Sequence, residues 1–195
     1  ICNDADVAGL AEARFGAGRG LSPVFYITVG TGIGGGLVID GEIYRGVGKG
    51  AAEIGHLLVP SPSDPADVQI LEHFAAGWGI EARAARLGGL PPTAKAIAAA
   101  ARQGDPNARR LLDEAISALA FAIRQLIPLV CPRRIVIGGG VSLSGEELFF
   151  APLRRKLDER PFAAFAGLTD VLPAALGEEV VVHGALALAR QRLDR

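Results

Sequence analysis

The chain has 195 residues, half of them hydrophobic, with a mean hydropathy of +0.32. That is enough for one domain or one large lobe with a sizeable core. Its 20 Lys and Arg balance 21 Asp and Glu to a formal net charge of −1, which excludes the basic footprint of a nucleic-acid binder and a polybasic membrane-surface segment.

Ile1-Cys2 reads as the end of a strand. Asn3-Asp4 opens a helix over residues 5–15, with either residue a good N-cap, and Gly16, Gly18 and Gly20 end it. Residues 24–29 are an apolar, β-branched strand that runs into Gly30-Thr31-Gly32-Ile33-Gly34-Gly35-Gly36, and a second strand is expected over 36–40. Residues 42–44 continue as a short strand, and 45–55 form a Gly- and Ala-rich loop. A short strand is expected at 57–59, an irregular Pro-Ser loop at 60–65, and one helix or two over 70–87, interrupted near Gly77 and Gly79.

Thr93 caps a helix that runs through residue 101. Asp105 caps, and Pro106 occupies the first turn of, a long helix that Pro128 and Pro132 end. Its broad apolar stripe, from Leu111 to Ile127, places it in the core. Arg124 and Gln125 suit a buried helix rather than a membrane span. A buried strand over 134–137 ends in Gly138-Gly139-Gly140. Helices are expected from 143 onward and over 152–160, a strand at 170–172, and a terminal helix within 177–192. This order describes an α/β chain. Cys2 and Cys131 each lie in an apolar stretch, which predicts buried, reduced thiols in a cytoplasmic protein. Methionine is absent, even at position 1, so a piece of a longer chain is expected.

The glycine run is the first candidate site. Glycine serves where backbone takes positive φ or approaches a ligand closely, and successive free N–H groups at a turn cradle anions such as phosphate. A plain Gly-rich hairpin is the alternative. The second strand-plus-glycine end, at 138–140, suggests a nucleotide clamped between two loops. Asp4 stands where a strand gives way to a helix; there it is either a base positioned to accept a proton or only a cap. Glu53 and His56 are spaced i, i+3, a weak signal alone, and Glu72 opens a helix, where a surface carboxylate is also common.

Together these motifs are more specific. Asn3-Asp4-Ala5-Asp6, Gly30 to Gly36, Gly50-Ala51-Ala52-Glu53-Ile54-Gly55-His56, Leu71-Glu72 and Ile137-Gly138-Gly139-Gly140-Val141 follow in the order seen in the ROK family of bacterial sugar kinases and sugar-responsive repressors, which the chain resembles over nearly its whole length. The resemblance implies an RNase H-like, actin-type ATPase fold with a mixed sheet flanked by helices. It also implies ATP-dependent phosphorylation of a hexose, as in glucokinases. Asp4 would be the general base on the sugar hydroxyl, and Asn3, Glu53, His56 and Glu72 would bind the other hydroxyls. Gly30, Thr31 and Gly32 would approach the ATP phosphates, and Gly138 and Gly139 the adenosine.

The family's zinc-binding cysteines are missing from residues 63–70. No zinc is therefore expected, with the loop held by Val68, Ile70 and Leu71 instead. The family's Asp-x-Gly-Gly-Thr loop is also missing, so residues 1–195 are expected to be a single carboxy-terminal lobe, with Mg²⁺ held mainly by an absent amino-terminal lobe and the lobe alone inactive. The resemblance implies a homodimer, with no membrane or nucleic acid bound by this lobe. The alternative it allows is the sugar-binding and dimerisation lobe of a repressor.

Overall fold

The computed structural model describes residues 3–48, 50–159 and 163–193. In chain order the elements are α1 (Asp4–Phe15), β1 (Val24–Val29), β2 (Ile33–Ile39), β3 (Glu42–Ile43), β4 (Leu58–Pro60), β5 (Val68–Ile70), α2 (Glu72–Ala75), α3 (Gly77–Leu87), α4 (Ala94–Arg102), α5 (Pro106–Val130), β6 (Arg134–Gly138), α6 (Ala151–Asp158), β7 (Asp170–Pro173) and α7 (Val180–Leu193).

One sheet organises them, in the order β3-β2-β1-β6-β7. β1 pairs antiparallel with β2 and parallel with β6, and β6 is parallel to β7. Because side chains alternate along a strand, β1 feeds two cores. Phe25, Ile27 and Val29 face the larger one, built on α5 with α2, α3, α4 and α6. Val24 and Tyr26 face the smaller one, with α1 and α7. A sheet covered on both faces explains why these strands read as continuous apolar runs. The stripe of α5 is the spine of the larger core, with Leu111, Leu119 and Ile123 fully buried. Asp105 caps this helix by accepting from the N–H groups of Asn107 and Ala108. Glu12, fully buried on α1, accepts from Ala17 N and from Ala175 N and Leu176 N, which ties α1 to the chain entering α7.

Several expectations are corrected. β2 begins at Ile33, so Gly34, Gly35 and Gly36 lie in a strand and not in the turn. Close packing requires them to be small: a Cβ on Gly34 would come within 3.0 Å of Ala5 Cβ, one on Gly36 within 2.7 Å of Ala5 O, and one on Gly35 would overlap the Ala52 carbonyl. α5 runs through Pro128, which forfeits only one late hydrogen bond. It stops at Cys131, whose φ is +46° and whose N–H closes on Ile127 O. Cys131 is half-buried, not buried, and Cys2 lies outside the described residues.

Residues 68–70 pair with β4 as a hairpin and do not begin a helix. Leu71 is buried and Ile70 half-buried, but Val68 is exposed and does not hold this loop. Polar contacts join it instead: Ser61 N donates to Asp67 O, Gln69 Nε2 to Asp67 Oδ1, and Gln69 Oε1 meets His73 Nδ1. Of the predicted helix breaks only Gly77 marks one, because Gly79 lies inside α3. Residues 142–144 and 146–150 are single 3₁₀ and π turns ahead of α6. Among the described residues, no helix is long and apolar enough to cross a membrane.

Candidate functional site

Parallel pairing of β1 with β6 brings their carboxyl ends side by side, where ligands gather in α/β sheets. The turn after β1 is short. Gly30 N donates to Gly32 O at 2.9 Å, while Gly30 O and Thr31 O accept from Gly77 N (2.8 Å) and Trp78 N (3.3 Å) at the start of α3. These bonds fix the turn from its carbonyl side. The Thr31 and Gly32 N–H groups have no acceptor among the described residues, which is the arrangement of an anion-binding turn.

The loop after β6 is drawn against the same strand, because Val141 N donates to Val29 O at 2.9 Å. Gly139 has φ +92°, and a Cβ there would sit 2.6 Å from the Val29 backbone, so only glycine fits. Gly138 faces the α1 side, where a Cβ would come within 2.6 Å of the Tyr26 hydroxyl. Burial pushes that phenol up to about 12. Gly138 and Gly139 border a cavity of about 300 Å³ with Asp4, Tyr26 and Thr28. Gly140 borders this cavity too, and also a larger one of about 670 Å³ with Gly30, Thr31, Trp78, Lys95 and Arg102.

Asn3 and Asp4 share the start of α1. The Asn3 side chain caps the helix by accepting from Ala5 N, and its Nδ2 donates to Glu53 Oε1 at 2.9 Å. Asp4 Oδ1 also accepts from Ala5 N, at 2.8 Å, which orients the exposed carboxylate and leaves Oδ2 without a hydrogen-bond partner among the described residues. Asp4 is thus a cap partner and a presented carboxylate at once. Glu53 has φ −70° and ψ 66° and sits at the apex of an inverse γ-turn closed by Ile54 N to Ala52 O. Ala52 enters that turn at φ +69°, a strained conformation for a residue with a Cβ.

Glu72 reaches the site from α2. Its Oε1 accepts from Ile33 N at 2.6 Å, so one carboxylate oxygen holds the first residue after the glycine turn. Replacing Glu72 by Ala removes that acceptor and is expected to cost about 1–3 kcal/mol in urea unfolding, most of it restored by Gln, whose amide oxygen still accepts. His56 is exposed; its N–H donates to Glu53 O, but its ring makes no hydrogen bond among the described residues. The structure therefore joins Asn3 and Glu53 directly, sets Asp4 beside Asn3 on the same Ala5 N–H, links Glu72 to the glycine turn, and leaves the His56 ring without a hydrogen-bond partner among the described residues.

Asp6 was not singled out as a site residue from the sequence. It is 1 % exposed, and neither carboxylate oxygen has a hydrogen-bond partner among the described residues. Burial raises its pKa, the nearby Arg45 opposes this, and Glu53 adds to it. A carboxyl whose pKa is higher folded than unfolded stabilises most below its unfolded value, and that stability is lost as pH rises through the folded value. Asp6→Asn is therefore expected to raise the urea midpoint at pH 7, with the gain fading as pH approaches 3.8. A midpoint difference independent of pH would contradict a buried, ionisable Asp6. Trp78 also carried no sequence signal, because its place beside the turn depends on a hydrogen bond to a residue 47 positions earlier.

Among the described residues no group of three or more His, Cys, Asp or Glu forms a metal site. Comparison with known proteins adds the following. A protein-family model described as the ROK family matches residues 1–192. A glucokinase from Thermotoga maritima is 34 % identical over 209 aligned residues, covering 98 % of this chain and 65 % of that protein. The crystal structure of a ROK hexokinase from Thermus thermophilus superposes with a TM-score of 0.87 at 31 % identity, over 98 % of this chain and 65 % of that one. A ROK family glucokinase from Streptomyces griseus, solved in complex with glucose and AMPPNP, gives 0.77 at 33 % identity, over 98 % and 68 %. The chain thus spans slightly less than two thirds of the Thermotoga relative. Its mixed sheet flanked by helices is the actin-like ATPase fold of these structures.

Proposed function

The chain belongs to the ROK family, and we propose that it is the sugar-binding and phosphate-loop lobe of an ATP-dependent hexose kinase of the glucokinase kind. The observation that carries this is the exposed Asp4 carboxylate, oriented by Ala5 N and flanked by the Asn3–Glu53 pair, in the same lobe as a turn with open amides at Thr31 and Gly32. The names of the glucokinase relatives and the glucose and AMPPNP in one of them support it.

A hexose offers several hydroxyls, and carboxylate, amide and imidazole groups recognise them directionally. Asn3, Glu53, His56 and Glu72 take these roles. Asn3 and Glu53 fix one another, and Glu72 Oε2 remains for the sugar while Oε1 holds the strand. Asp4 Oδ2 takes the proton of the hydroxyl that is phosphorylated, while Oδ1 stays bonded to Ala5 N, so the base does not turn as it charges and discharges. ATP, when bound, supplies the phosphoryl group. The donor chemistry of the glycine turn fits it: Gly30 and Gly32 keep side chains away, and the Thr31 and Gly32 N–H groups, which have no acceptor among the described residues, are available to donate to phosphate oxygens. Gly138 and Gly139 keep the loop after β6 tight against β1, which sets Gly140 on the border of the cavity beside the glycine turn, on the adenosine side. Mg²⁺, when bound, would be held chiefly through the ATP phosphates and would neutralise their charge.

A repressor needs the sugar contacts but no base, so the presented Asp4 favours a kinase. We also propose a cytoplasmic homodimer. To test the function, the full-length protein is incubated with ATP, Mg²⁺ and glucose. A mass gain of one phosphoryl group on the sugar is expected; an unmodified sugar despite measurable glucose binding would overturn it.

A further inference from the structure

We propose that the indole of Trp78 forms a wall of the slot that takes the nucleoside of the phosphate donor, so that Trp78 makes this lobe select a nucleotide over inorganic polyphosphate. The proposal rests on the kinase function above. Trp78 is the only tryptophan in the chain. Its backbone N–H donates to Thr31 O, so the residue is fastened to the turn proposed to hold the phosphates. Its side chain stays 38 % exposed and lines the 670 Å³ cavity that opens from that turn. A large indole left uncovered in a concave site is unusual for a packing residue and suits a ring-bearing ligand.

The rest of the cavity has the complementary chemistry. Ala94 and Ala98 on α4 give a low, apolar surface, and Lys95 adds a cation with no ion pair among the described residues. The other charged groups there are engaged. Arg102 Nη2 donates to Ser144 O, and Glu81 Oε1 accepts from Ala94 N, which locks α3 to the start of α4. Their engagement fixes the walls and leaves Trp78 and Lys95 to meet a ligand.

The indole is also held from behind. His73 meets it edge-on, with centroids 4.9 Å apart and planes at 77°. His73 is in turn fixed by Gln69, and Gln69 by Asp67, at the β4–β5 hairpin. The polar chain that secures this hairpin therefore ends on the cavity wall. Asp67, Gln69 and His73 are positioning residues for Trp78, which presents a pre-set aromatic surface and loses little freedom on binding.

The test uses the full-length protein, with Trp78→Phe and Trp78→Leu variants. ADP, adenosine and tripolyphosphate are titrated by calorimetry and by intrinsic fluorescence, and the Trp78 signal is taken as the difference between wild type and the Phe variant. ADP and adenosine are expected to change the Trp78 signal, and tripolyphosphate is expected to leave it unchanged. Loss of an aromatic stack should weaken ADP about tenfold in the Leu variant. Phe should restore most of that affinity, with glucose affinity unchanged in both. ADP binding that leaves the Trp78 signal and the Leu variant's affinity unaltered would overturn this proposal while the kinase function stands. Absence of ADP binding in a protein that still binds glucose would overturn both.

Discussion

Asp4→Asn is expected to lower kcat for hexose phosphorylation about a thousandfold, within the range for loss of a general base. Asparagine keeps an oxygen to accept from Ala5 N, so the cap geometry survives. What disappears is the second carboxylate oxygen as a proton acceptor. Glucose affinity, measured by calorimetry, should stay within about threefold, because the Asn3–Glu53 pair remains. A fall in kcat of less than tenfold would place the base elsewhere. A large loss of glucose affinity with little change in kcat would make Asp4 a binding group only.

Gly35→Ala should be strongly damaging for so small a substitution. The new methyl would overlap the carbonyl of Ala52, which is backbone and cannot swing aside. Ala52 already holds φ +69° at the entrance to the γ-turn that presents Glu53. Displacing it moves Glu53 away from Asn3. A cost of about 1–3 kcal/mol in urea unfolding is expected, as for other overpacked sites. Displacement of a hydroxyl-binding carboxylate should also weaken glucose binding at least about tenfold. Gly48→Ala is the control, since a Cβ there meets nothing within 4 Å, and it should stay within about 0.5 kcal/mol of wild type. Equal effects for the two substitutions would show that the Gly35–Ala52 approach does not set the loop.

These results depend on features that the sequence reveals unevenly. α5 is legible because its signals are local: a capping Asp105, Pro106 in the first turn and an apolar stripe at helical spacing. β1 and β6 are legible because strands buried on both faces are continuously apolar. The glycine run misleads about where its turn ends. Glycines at a turn and glycines pressed against α1 look identical in sequence, and only the approach of Ala5 and Ala52 separates them. β4 is expected almost in place, at 57–59, but its partner β5 escapes notice because it is three residues long and held by side-chain polar contacts rather than by an apolar pattern.

The candidate site shows the same division. Asn3-Asp4, the glycine turn and the Glu53 loop stand out as local motifs, and the structure joins Asn3 to Glu53 across 50 positions. Glu72 was visible as a helix-opening carboxylate, but its bond to Ile33 N was not, since it depends on how α2 packs against β2. Asp6 was visible only as part of a motif. Its burial without a hydrogen-bond partner among the described residues follows from α1 packing against a glycine-lined strand.

The most direct measurement is a coupled ADP-release assay on the full-length protein across a panel of hexoses, with the Asp4→Asn variant beside it. Sugar-dependent ADP release that collapses in the variant is the predicted result; it would name the substrate and assign the base. No ADP release with any hexose, from a protein that the same sugars stabilise against heat, would contradict the kinase function and leave a sugar sensor.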